Sequence, residues 1–167
     1  LLAACVLAAP APAGAAITHS WAGQDNALDG TGSANGVHTG NFTADGFIGH
    51  AFSYNGASNA TDFGDVGDTP TASFTIAFAV RTTQTDAAVA LLTKRGSCDS
   101  SQDFWDIHLG PSSVGYETYE AGGTNLGIGM DAAIADGFWH TITVTRTGST
   151  MTGYIDGEQR ASRTDAT

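Results

Sequence analysis

Two stretches of the chain carry side chains whose types and spacing are suited to chemistry. In "FWDIHL" (104–109) and "VGYETY" (114–119), read as strands, successive side chains point to opposite faces. Asp106 and His108 then share one face, away from Trp105, Ile107 and Leu109. Glu117 and Tyr119 likewise lie opposite Val114, Tyr116 and Thr118. If the two strands pair, Asp106, His108, Glu117 and Tyr119 form a polar patch with one aromatic platform. Such patches bind sugars through hydrogen bonds and ring stacking, although a merely solvated outer sheet face has the same pattern. The second stretch, "QDNALDGTG" (24–32), offers Asp25, Asn26 and Asp29 in a glycine-rich loop with backbone carbonyls close by. These hard oxygen donors suit calcium, the expected cofactor, although the spacing is not that of an EF-hand. Asx turns that order the loop without a metal are the alternative.

No catalytic residue is expected. Glu117 and Glu120 are three apart, as are Asp103 and Asp106, so on straight strands neither pair converges on one groove as a glycosidase requires. Carboxylates on neighbouring strands remain able to meet. His19, His38, His50, His108 and His140 are scattered, without the short paired spacing of a zinc site, and no Gly-x-Ser-x-Gly elbow is present. Cys98 sits in a Gly/Ser/Asp loop with no activating histidine nearby, which favours a structural role. In "FWHTITVTR" (138–146), Phe138, His140, Ile142 and Val144 are expected to share a buried row, with Trp139 and three threonines opposite.

These segments need a frame of strands, and the composition supplies one. Among 167 residues, 22 are glycine and only 14% are charged, which suits short strands and tight turns better than surface helices. Alternation recurs in "FTIAFAV" (74–80), "LGIGM" (126–130) and the returning strand "MTGYI" (151–155), and Asp156-Gly157 is a strong hairpin signal. The fold class is therefore all-β, a two-sheet antiparallel sandwich. Residues 20–46, with few apolar anchors beyond Trp21 and Phe42, are expected to form a long ordered loop laid across it. The net charge is −11 and no Lys or Arg precedes Arg81, so a nucleic-acid surface is not expected. The uncharged "LLAACVLAAPAPAGAA" (1–16) is too short to span a bilayer. It is expected to be the end of a secretory signal peptide, cleaved after Ala13, Ala15 or Ala16. "LAAC" also matches a lipoprotein box, but the chain stays apolar beyond Cys5. The mature protein, from residue 17, is then secreted or at the cell surface.

Five segments in order, "WAGQDNALDGTGSANG", "GFIGHAFSYNGAS", "SFTIAFAVRT", "LLTKRGSCDSSQDFWDIHL" and "GFWHTITVTRTGSTMTGYIDGEQ", resemble bacterial laminin G-like domains. These belong to the concanavalin A-like lectin/glucanase group of jelly-roll sandwiches. The resemblance runs from Trp21 to Ser162 and implies a jelly roll whose final strands lie beyond Thr167. It also implies that Cys98 pairs in that missing part, and that further domains follow in the same polypeptide. The function implied is a carbohydrate- or protein-binding module, with a polysaccharide or glycoprotein as partner. The alternatives are a glycoside hydrolase of the same group, whose Glu-x-Asp spacing is absent here, and a structural spacer domain.

Overall fold

The computed structural model describes residues 16–68, 73–86, 88–95, 103–119 and 126–164. Residues 1–15, all but the last residue of the expected signal segment, and Cys98 lie outside them. Twelve strands are present in this part: β1 (Val37–His38), β2 (Asn41–Thr43), β3 (Ala51–Ser53), β4 (Thr61–Asp62), β5 (Phe74–Arg81), β6 (Val89–Lys94), β7 (Phe104–Leu109), β8 (Ser113–Tyr119), β9 (Leu126–Asp131), β10 (Trp139–Thr147), β11 (Thr150–Ile155) and β12 (Glu158–Thr164). They build two antiparallel four-stranded sheets, ordered β12-β11-β10-β5 and β6-β7-β8-β9, and two small ribbons, β1-β4 and β2-β3. No helix occurs among the described residues, and none is long and apolar enough to cross a membrane.

Strand parity dictates the core. Ile107 and Leu109 of β7, Val114 and Tyr116 of β8, and Ile128 and Met130 of β9 are buried against Ile142 and Val144 of β10 and Met151 and Ile155 of β11. Trp105 joins this layer, and its indole N–H donates to the Gly67 carbonyl at 2.8 Å. The sheets approach closely where β9 crosses β11. A Cβ on Gly153 would lie 2.5 Å from Met130 Sδ and 2.7 Å from its Cγ, so glycine is the residue that fits.

Two hairpins set the register of the second sheet. The β10–β11 turn places Gly148 at φ 58° between Thr147 and Thr150, which pair directly; a glycine first in a two-residue loop matches strand twist. At the β11–β12 turn both Asp156 (φ 55°) and Gly157 (φ 76°) are left-handed, the conformation that Asp-Gly favours. Strand β12 itself, "EQRASRT", has no apolar alternation and was not legible as a strand; only Ala161, opposite Gly153, turns toward the core.

His140 keeps the parity of Ile142 and Val144 but ends the row rather than lying within it. Its Nδ1 is 2.8 Å from Asp156 Oδ2 and its Nε2 is 3.1 Å from Asp136 Oδ1, while Asp156 Oδ1 accepts the Thr141 N–H at 2.8 Å. The imidazole thus ties the β11–β12 turn to the start of β10. Phe138 departs from the expected buried row: it is 71% exposed. The strand begins only at Trp139, because Gly137 at φ 85° and the Asp136 carboxylate, which accepts the Phe138 N–H, hold a turn there. Trp139 faces the other side, beneath Arg81 (5.1 Å) and beside Phe47 (6.2 Å).

The stretch 20–46 is more structured than a loop. Its small ribbons enclose an aromatic cluster in which Trp21 packs on Phe63 (4.2 Å) and Phe42 on Phe52 (5.5 Å), with His38 beside Phe42 and Phe52. Arg81 holds Asp45 at 2.6 Å, and Lys94 holds Asp65 and Asp68 at 2.7 and 2.5 Å, tying this region to the sheets.

Two predictions follow from the core and the clamp. Ile107→Ala opens a cavity at a fully buried position and is expected to lower the unfolding free energy in urea by about 2–5 kcal/mol. For the clamp, the hydrogen bond to Asp156 first, and that to Asp136, raise the His140 pKa; the Phe138 N–H first, and then His140, lower Asp136, while His140 first, and then the Thr141 N–H, lower Asp156. A raised histidine stabilises the fold fully below its unfolded value of about 6.5, and that stabilisation is lost as pH rises through the folded value. The lowered aspartates contribute above about 3.9, and lose their contribution as pH falls through their folded values. Melting temperature is therefore expected to plateau between these limits and to decline above the upper one. His140→Asn should flatten that alkaline decline, as thermal melts across pH will read.

Candidate functional site

The outer face of the β6–β9 sheet carries the side chains that parity excludes from the core. Asp106 and Glu117 are direct cross-strand partners, as are Phe104 and Tyr119, and His108 pairs with Gly115. The four residues expected to form a ligand surface, Asp106, His108, Glu117 and Tyr119, are therefore brought together on adjoining strands. They form a network rather than a loose patch. Asp106, only 7% exposed, has Oδ1 2.6 Å from His108 Nδ1 and Oδ2 3.2 Å from Arg95. The same guanidinium lies 3.7 Å from Glu117 Oε1. The ion pair with Arg95 and the hydrogen bond with His108 thus compensate the burial of a carboxylate that would otherwise be costly.

Tyr119 is stacked on Phe104, with ring centroids 5.7 Å apart and planes 11° from parallel. The Arg95 guanidinium lies 4.1 Å over the Phe104 ring. Arg95 therefore links the polar and aromatic halves of the site. Sequence reasoning missed it because it follows the last residue of β6, where parity no longer indicates direction. Alternation in the flanking "LLT" could not supply it either, since the β6–β7 register slips between Ala90 and Leu92. Glycine is the second feature that side-chain chemistry overlooked. Gly115 leaves room for the His108 imidazole, which a Cβ there would strike, and β9 presents Gly127 and Gly129 beside Glu117 and Gly115.

Asp25, Asn26 and Asp29 are not brought together. Asp25 pairs with His50 at 2.6 Å. Asn26 forms an Asx turn, accepting the Leu28 N–H at 3.0 Å and donating to the Gln24 carbonyl at 2.8 Å. The Asp29 carboxylate is fully shielded and turns into its own loop. Its Oδ1 accepts N–H groups of Ser20, Thr31 and Gly32, and its Oδ2 accepts that of Ala34 and meets His19 Nδ1 at 2.6 Å. Burial alone would raise its pKa, but the bonds from His19 and the backbone of Gly32, Ser20 and Thr31 outweigh it and hold the carboxyl far below the usual range. A calcium ion needs several convergent oxygens, and these residues do not fit one. Among the described residues no group of three or more His, Cys, Asp or Glu is placed to hold a metal.

The loop's order is thus expected to depend on Asp29 and not on a cation. Asp29→Ala, which removes acceptors for four backbone N–H groups, should lower the melting temperature by several degrees. Chelator should leave the wild-type melt unchanged, and a calcium-dependent rise would overturn this account.

A laminin G-type model described as the concanavalin A-like lectin/glucanases superfamily matches residues 55–167. No curated protein matches the chain. Among solved structures, an S-layer domain-containing protein of Clostridium thermocellum superposes with a TM-score of 0.56 at 20% identity, over 87% of this chain and 71% of that one. The carbohydrate-binding module CBM40 of the Ruminococcus gnavus IT-sialidase, bound to α2,3-sialyllactose, gives 0.50 at 18% identity, over 58% of this chain and 55% of its own. Domains LG4–5 of the mouse laminin α1 chain give 0.49 at 15% identity, over 60% of this chain. The chain spans about a quarter of that laminin fragment (26%) and about half of the sialidase module. With its two-sheet antiparallel sandwich and a family match over most of its length, the chain belongs to the concanavalin A-like lectin/glucanases superfamily, as a laminin G-like domain.

Proposed function

We propose that this domain is a non-catalytic, extracytoplasmic carbohydrate-binding module that takes a polysaccharide or the glycan of a glycoprotein on the outer face of the β6–β9 sheet. The observation that carries this reading is the network of Asp106, His108, Glu117 and Arg95, held on rigid strands beside the Tyr119 ring. Sugar hydroxyls are recognised by such fixed donors and acceptors, and an aromatic ring nearby adds apolar contact. The sandwich shared with the sialidase module, whose structure holds sialyllactose, supports the class of ligand without specifying it.

The hydrolase reading draws on the cross-strand pair Asp106–Glu117, two carboxylates on one face. A glycosidase needs one such group to protonate the leaving oxygen and the other to attack or to activate water. Here Asp106 is buried, with one oxygen on His108 and the other on Arg95, engagements that support a positioning role over that of an acid or nucleophile. Glu117 and His108 remain at the surface as ligand groups, with Asp106 and Arg95 as the groups that position them. An apolar core row behind the site fixes the strands but contributes no chemistry.

Native affinity electrophoresis against soluble polysaccharides tests this directly. Retention of the wild type is expected without release of reducing sugar, and Glu117→Ala and His108→Ala should each weaken it about tenfold. Release of reducing ends would overturn the module in favour of the hydrolase, and retention on no polymer would favour a spacer.

A further inference from the structure

Within the described strands four positions are glycine: Gly115, Gly127, Gly129 and Gly153. Glycine inside a strand lowers stability. It marks a bulge, an unusual backbone angle or a place where another group approaches closely. Three of the four have such a reason within the chain. The His108 imidazole lies where a Cβ of Gly115 would stand, and Met130 lies against Gly153. At Gly127 a Cβ would come within 3.2 Å of the Tyr116 carbonyl, and the Gly127 carbonyl accepts from Arg163 at 3.2 Å.

Gly129 has none. A Cβ there would meet nothing within 4 Å, and its φ is not in the left-handed region. The β8–β9 register runs unbroken from Ser113↔Asp131 to Thr118↔Leu126. The residue is exposed, and it stands in the cross-strand row His108, Gly115, Gly129. Among the described residues, then, the bare backbone at Gly129 answers to no contact within the chain, and it adjoins the network described above.

The geometry points to Gly129 as the seat of the ligand: a neutral sugar ring lies flat on the β9 backbone there, with His108 and Glu117 as its polar wall. This rests on the assignment of the β6–β9 face as the binding surface, and adds where on that face the ring sits and what charge it carries. Gly115 allows the imidazole to lie low over β8, with Nδ1 turned to Asp106 and Nε2 over the Gly115 backbone. Beyond Gly129, Asp131 is two residues along the same face and Glu117 stands on the neighbouring strand. Both are acceptors for hydroxyl donors. A carboxylate or sulfate on the sugar would stand against both, in a chain of net charge −11. Nearby cations are already engaged, Arg95 with Asp106 and Glu117 and Arg163 with the Gly127 carbonyl. Among the described residues β9 is the last strand of its sheet.

The test compares wild type, Gly129→Val, Gly129→Ala and Glu117→Ala on native gels containing laminarin, hydroxyethyl cellulose or galactomannan, with dextran sulfate as the anionic probe. Valine suits an exposed strand position and its Cβ meets no neighbour, so its melting temperature should be unchanged or higher. Retention on the neutral polymer that the wild type binds should fall at least tenfold for Gly129→Val and less for Gly129→Ala. If Glu117→Ala loses binding while Gly129→Val retains it, the seat is overturned and the binding face stands. If the wild type is retained on none of the polymers, the face and the seat fall together. Stronger retention on dextran sulfate than on every neutral polymer would overturn the choice of a neutral ligand. Should valine lower the melting temperature, the alanine variant carries the comparison.

Discussion

Burial of one face of each four-stranded sheet against the other is the constraint from which the remaining features follow. Two sheets share a core through the alternate residues of their central strands, which must be apolar and of compatible volume. Met130 against Gly153 shows how tight that requirement is: the large side chain on β9 has a glycine opposite it on β11, and no second side chain fits. At about 25 cal/mol per Å2 of apolar area, such a core is the main favourable contribution to folding. It also leaves the alternate residues of the same strands on the outer faces, outside this core. The site is built from these residues.

The same alternation explains why the outer face of β7 and β8 can hold charge at all. Asp106 lies between Trp105 and Ile107, both buried in the core layer, so its strand position is fixed by its neighbours. Held there, it is nearly as buried as they are, and it is stable only because His108 and Arg95 satisfy both oxygens. The N-terminal ribbons follow a second, smaller version of the rule. Asp29 organises its loop by gathering backbone N–H groups, and Trp21, Phe63, Phe52 and Phe42 give that loop an apolar centre of its own.

Period-two patterning made the central strands legible from residues alone. "FWDIHL", "VGYETY" and "LGIGM" each alternate cleanly, and each lies in the sheet with the faces that alternation requires. The Asp-Gly turn was legible because few residues other than glycine, asparagine and aspartate accept a left-handed backbone. Other features depend on contacts between distant segments. Phe138 looked like part of an apolar row, but Gly137 and Asp136 start the strand one residue later. Strand β12 has polar residues at most positions and exists because β11 offers it a partner. Arg95 follows a register slip, and nothing local shows that its guanidinium reaches Asp106 and Phe104. The acidic loop could not be resolved between metal and Asx turns, since both use the same residues. What differs is the direction of Asp29, set by N–H groups at residues 20, 31, 32 and 34.

The proposed binding role is consistent with the rigidity of the arrangement. A binding surface gains when donors and acceptors are fixed before the ligand arrives, because the side-chain entropy lost on binding is then small. Asp106 supplies that fixation to His108, and Arg95 supplies it to Glu117 and Phe104, through contacts that exist without any ligand. A catalytic acid has the opposite need: an oxygen free to give up a proton toward the reacting bond and to change partners during the reaction. Asp106 is engaged through both oxygens, with the buried Trp105 and Ile107 on either side of it. Strands that bury one face so tightly hold the other face in place, and on the proposed reading a ligand surface at His108 and Glu117 would draw on that fixity.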